Sequence, residues 1–209
     1  MNIPQSITFA KRSLMLLVIG LISTFLIEGM LAPSIAQSTN ERDLEDTIPK
    51  HLPIKVRIKE DKENAFKDLR NERWARDIEI EVTNTGDRPI YYLNLSIQLT
   101  DTKGDSDYPL AFPLDFGRAA LMDKKERAKP NDQAIAPGET ISLFVAEKWL
   151  DGWDAFKNSH KKPDPRKLRL VFHLLGFGDG TGFRTTGGIA FPRKQAANPD
   201  CSPAKAHSS

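Results

Sequence analysis

The densest group of residues able to do chemistry is Gly176-Phe177-Gly178-Asp179-Gly180-Thr181-Gly182. Glycine at every second place lets a backbone approach a phosphate or sugar closely, and Asp179 at the centre could take a cation or a hydroxyl. The loop lacks the Gly-Lys-Ser/Thr of a phosphate-binding loop, and it reads Asp-Gly-Thr where an aspartic protease needs Asp-Thr/Ser-Gly. Gly178, Asp179 and Gly180 are therefore candidate ligand contacts within what also reads as a structural arch between strands. A second candidate set is aromatic: Trp149, Trp153, Tyr91 and Tyr92. Aromatic faces stack on sugar rings. However, Trp149, Trp153 and Phe156 fall at i, i+4 and i+7, the stripe a helix uses to plug one end of a core.

Other constellations fall short of a reaction. Asp101, Asp105 and Asp107 lack the spacing of a calcium loop and have Lys103 among them, so they read as an exposed turn. His51, His160, His173 and His207 show neither i, i+4 pairing nor a cysteine partner. His173, on an apolar strand, reads as a hydrogen-bonded structural histidine. There is no Gly-x-Ser-x-Gly phrase, and the single cysteine, Cys201, stands in an Ala/Pro/Ser-rich tail. The expectation is no catalytic residue, no metal and no cofactor.

Strands must carry these residues. Ile54, Val56 and Ile58 alternate with Lys55 and Arg57; Ile78, Ile80 and Val82 alternate with glutamates; Leu93, Leu95, Ile97 and Leu99 alternate with Asn94, Ser96 and Gln98. Period-two alternation with one wet face is the antiparallel signature. Thr140 to Val145 and Leu168 to Phe177 supply further strands, and Ile189 to Phe191 an apolar return after the glycine loop. Asn84-Thr85-Gly86-Asp87 and Pro137-Gly138 are turns, the second of type II. The change of parity between Tyr92 and Leu93 predicts a bulge there. Lys62–Arg73 and Ala146–Lys157 predict the only short helices. The sum is an all-β antiparallel sandwich of about seven strands with one or two short helices.

Location is written at the N-terminus. Lys11 and Arg12 precede an apolar run from Leu14 to Ile27, and Ser34-Ile35-Ala36 gives the small-x-small pattern of a signal peptidase site. The expectation is a signal peptide at 1–36, cleaved after Ala36, and a periplasmic or extracellular protein. The alternative is a retained anchor, but the run before Glu28 is shorter than the roughly 20 residues a span needs. Membrane contact is expected only in that case. Residues 37–50 read as a polar linker, 51–194 as one domain and 195–209 as a disordered tail. The formal charge of +2 on 209 residues argues against a nucleic-acid groove. A lone cysteine permits no internal disulfide, so core burial must hold the domain.

The phrases Val82-Thr83-Asn84-Thr85-Gly86 and Pro137-Gly138-Glu139 resemble the turns of immunoglobulin-like and fibronectin-like sandwich modules in bacterial exported proteins. Tyr91-Tyr92-Leu93, Phe116-Gly117-Arg118 and the glycine loop also look like a group of uncharacterised exported proteins of environmental bacteria. The resemblance implies an immunoglobulin-like sandwich outside the cytoplasm and no particular activity. The functional expectation is a non-enzymatic binding or scaffolding protein of the cell envelope, with an unknown protein or glycan partner. The alternative is a carbohydrate-binding or glycan-active module, and this predicts that Trp149, Trp153, Tyr91, Tyr92 and Asp179 converge on one surface.

Overall fold

The computed structural model describes residues 41–104 and 108–192. The expected signal peptide, the tail with Cys201, and Asp105 and Asp107 lie outside the described residues.

Nine strands are present among them: β1 Asp43–Asp46, β2 Ile54–Ile58, β3 Ile80–Asn84, β4 Tyr92–Lys103, β5 Pro109–Gly117, β6 Thr140–Leu143, β7 Lys167–Gly176, β8 Gly182–Arg184 and β9 Ile189–Phe191. Helices α1 Glu60–Lys67, α2 Trp74–Asp77 and α3 Glu147–His160 join them, with a 3-10 turn at Ala119–Met122. One sheet runs β5-β4-β7-β8-β9, with β1 added to β7; the other runs β2-β3-β6. Every pairing is antiparallel except β1 with β7. The architecture is mostly β and consistent with a β-sandwich.

The alternation in the sequence decides which face is dry. Ile80 and Val82 from β3 and Leu93, Leu95, Ile97 and Leu99 from β4 are wholly buried and share one apolar cluster. That cluster draws on both sheets, so each sheet's apolar face is covered by the other's. The expected turns close this core. Asn84 Oδ1 accepts from the Gly86 amide at 3.0 Å, and its Nδ2 donates to the carbonyls of Arg88 and Ile135 at 2.8 and 2.9 Å. Gly138 has φ +80°, and the Glu139 amide donates to the Ala136 carbonyl, which makes the type II turn. The two turns also bond to each other: the Asn84 amide donates to Glu139, and the Gly138 amide donates to Asn84.

Two expectations are corrected and a third is sharpened. The stretch 37–50 is not simply a linker, because from Glu41 onward it belongs to the fold. Leu44 pairs with Leu168 in the β1–β7 ladder, and the Arg42 side chain is buried. The Arg42 guanidinium donates to the carbonyls of Pro165, Phe66 and Asp68 and lies 4.7 Å from the Trp74 ring centre. Charge in the sequence hid this strap: Nε and Nη1 of the buried arginine find carbonyls and its face meets an aromatic ring, while Nη2 is buried without a hydrogen bond. The bulge falls near Tyr92 and Leu93 but not at them, since they pair regularly with Gly117 and Phe116. One register shift lies between Asn94 and Leu95, opposite His173, which is the extra residue of β7, and another between Leu99 and Lys103 against β5. Tyr92 and Leu93 are both buried because both sheet faces are covered there: the core lies on one side, and the 3-10 turn packs against β4 and β7 on the other. Finally, α3 runs for 14 residues and so is not short, and three α-helices stand where one or two were expected.

Candidate functional site

The glycine loop leaves the end of β7 and returns as β8. Asp179 at its tip is exposed, and both its oxygens accept hydrogen bonds from the protein itself. Its Oδ1 accepts from the Thr181 amide at 3.0 Å and hydroxyl at 2.6 Å, and its Oδ2 accepts from Arg88 at 2.6 Å. Partial burial works to raise the Asp179 carboxyl, but the Thr181 hydrogen bonds and the Arg88 charge outweigh it and hold it below the usual range. Arg88 in turn stacks on Phe177 with its Cζ 4.0 Å from the ring centre. Gly178 has φ +76°, and a β-carbon there would sit 2.6 Å from Ala128 and 2.7 Å from the Tyr91 ring. Its carbonyl accepts from the Ala128 amide at 2.7 Å. The glycines thus admit the protein's own chain and side chains to close approach.

Tyr91 therefore joins the loop as a packing partner. Tyr92, its neighbour, points to the outer side of the large sheet and is buried. Its hydroxyl donates to Asp115 at 3.3 Å, and Asn94 donates to the same carboxylate oxygen at 2.6 Å. Burial, then the Asp115 charge, pushes the Tyr92 phenol up to about 12. On the same face Ser96 Oγ and His173 Nε2 lie 2.8 Å apart, so His173 is hydrogen-bonded as expected. Burial lowers its pKa, with Asp115 opposing.

The tryptophans occupy a different place. Trp153 is 5 % exposed, edge-on to Phe112 at 6.2 Å and stacked with Phe156 at 6.0 Å. Trp149 is 43 % exposed. Between them Gly152 presents no side chain, and a β-carbon there would meet nothing within 4 Å. The result is an open apolar groove of about 250 Å³ walled by Trp149, Trp153 and Phe156 on one side and by Leu110, Ala111 and Phe112 on the other.

The two candidate sets do not converge. On β4, Tyr92 stands opposite Gly117 and Gly176 beside the glycine loop, whereas Ile97 stands opposite Phe112 beside the groove. Five residues of strand separate these positions, about 17 Å. The single surface expected of Trp149, Trp153, Tyr91, Tyr92 and Asp179 is thereby corrected: extended strand geometry holds its two halves apart. Sequence reasoning also missed Gly152. Its only signal was a helix-weakening residue inside the aromatic stripe.

Among the described residues no group of three or more His, Cys, Asp or Glu side chains is placed to hold a metal ion, and no helix is long and apolar enough to cross a membrane. No known protein family, curated protein or solved structure matches the chain.

Proposed function

We propose that this chain is an exported, non-enzymatic sandwich of immunoglobulin-like build that binds a partner at the cell envelope or outside the cell. The observation that carries the reading is the half-exposed Trp149 standing over the groove at Gly152. A half-exposed indole forgoes the gain of burial and a glycine inside a helix costs stability, and a binding surface accounts for both. Export rests on the basic and apolar N-terminal segment followed by Ser34-Ile35-Ala36.

Strand order supports the immunoglobulin-like build. Counting from β2, the first, second and fifth strands form one sheet, and the fourth, third, sixth and seventh form the other. Immunoglobulin-like sandwiches divide their strands in this way when the C′ strand joins the C-F-G sheet. The mutual hydrogen bonds of the Asn84 and Gly138 turns add to that support.

The groove also favours a narrower version of the carbohydrate reading, in which Trp149 alone offers a stacking face and the glycine loop takes no part. Both readings face one set of experiments. Fractionation of the producing cells with N-terminal sequencing should find the protein outside the cytoplasm and beginning at Gln37. Tryptophan fluorescence titrated with peptidoglycan fragments, neutral oligosaccharides and envelope proteins should respond to one class, and Trp149→Ala should abolish the response. Turnover of a glycan, peptide or ester substrate, lost on one point substitution, would sink the non-enzymatic reading.

A further inference from the structure

Free strand edges invite pairing with another chain, and two of the strand edges among the described residues are blunted. Strand β5 carries Pro109 and Pro113, and the three-residue β9 is followed at once by Pro192. Three edge strands contain no proline: β6 and β2, Ile54–Ile58, pair with opposite sides of β3, and β1 pairs with β7. Of these, β1 and β2 border one groove of about 550 Å³, with Leu44 and Asp46 on the β1 side, Val56 and Ile58 on the β2 side, and the buried Leu170 beneath.

The ladders fix which backbone groups face this groove. The Thr85 amide donates to Pro53, and the Lys59 amide donates to Glu79. Odd-numbered residues of β2 therefore bond to β3, and the amides and carbonyls of Ile54, Val56 and Ile58 turn outward. On β1 the Asp43 amide donates to Arg166, and the Thr47 amide just beyond donates to Leu170. By the same alternation Leu44 and Asp46 turn theirs outward. Leu44, Asp46, Val56 and Ile58 thus combine an outward backbone with a place in the groove's lining.

Charge selects the occupant. Glu60 and Glu63, in the first turn of α1, stand with Asp46 along the groove. The one cation among its lining residues, Arg57, is bound to Glu81 at 2.7 Å. Glu63 is bound to Lys67 at 2.6 Å, so the negative charge of the rim rests on Glu60 and on Asp46, which accepts the amide of Ile48.

We propose that this groove binds an extended cationic peptide segment, one that alternates apolar residues with lysine or arginine and adds to β2 as a further strand. Its backbone bonds to Ile54, Val56 and Ile58; its apolar side chains enter between Leu44 and Val56; its cations meet Asp46 and Glu60. This surface is separate from the Trp149 groove and does not depend on it.

The test uses the full chain and a capped peptide alternating valine and lysine, with a valine–glutamate peptide as control. Fluorescence anisotropy should show binding of the lysine peptide that weakens with salt, and little binding of the control. Hydrogen exchange at the Val56 and Ile58 amides should slow on binding. Val56→Pro removes an outward donor while sparing the β3 ladder; it trims a side chain packed on the core and so lowers the melting temperature, and the folded variant should bind at least tenfold more weakly. Glu60→Lys, on an exposed helix start, should weaken it about tenfold without touching the strand. Equal binding of both peptides would overturn the proposal. So would exchange at Val56 and Ile58 that is already slow without peptide, the sign of the chain's own segment in the groove. Protection that instead rises with protein concentration would replace the peptide by a second copy.

Discussion

Glycine lies among aromatic rings at both ends of the large sheet, with opposite results. In the loop after β7, Gly178 lets Tyr91 and Ala128 close upon the backbone, so any side chain there would collide. In α3, Gly152 meets nothing, and its missing side chain is the floor of an open groove. The first glycine is a device of packing. The second costs helix stability and returns no contact, as expected where a surface is kept clear for something else. Regular glycine spacing drew attention to the loop, yet the isolated helix glycine marks the more open surface.

The sharpest way to break this comparison is at the floor beneath the groove. Trp153→Ala should lose about 3–5 kcal/mol of stability, because a buried indole packed against Phe112 and Phe156 leaves a cavity. Chemical denaturation reads it directly, and a loss under 1 kcal/mol would mean that Trp153 is a surface group after all. Next comes Gly178→Ala, expected to cost about 2–4 kcal/mol from left-handed backbone plus overpacking. A near-neutral result would return the loop to the list of ligand sites.

A smaller effect separates the Ser96–His173 pair from both ends. The folded protein holds His173 below its ordinary 6.5. The unfolded chain therefore takes up the proton first, so stability is complete above pH 6.5 and falls as the pH drops through that value. His173→Gln should flatten melting temperature against pH between about 6.5 and 5, above the range where carboxylates titrate. Smallest of all, Gly152→Ala should raise stability by about 0.5–1 kcal/mol, since alanine is the better helix former and has space. The same substitution narrows the groove. Unaltered ligand response in that variant would detach the glycine from binding.

Much of the fold was legible because burial imposes a period. Ile54, Val56 and Ile58, and Leu93 to Leu99, announced their strands and faces, and Trp149, Trp153 and Phe156 announced α3. Strands β1 and β5 were not legible. The first is charged at Asp43, Glu45 and Asp46, and the second carries two prolines, so neither fits the apolar alternation of a central strand. The candidate sites were legible only as residue types. Thr181 is a local partner of Asp179, two residues on, but nothing local says that Arg88 also binds it, because Arg88 lies 91 residues away along the chain.

The sequence by itself determined which faces turn inward and where the chain turns, since side-chain period and turn chemistry act within a few residues. It also carried the basic and apolar N-terminal pattern on which the proposal of export rests. Tertiary structure alone decided which acids are satisfied, which of two neighbouring tryptophans meets water, and which strand edges stay open. Those outcomes depend on partners brought together from distant parts of the chain, and a local pattern holds no record of them.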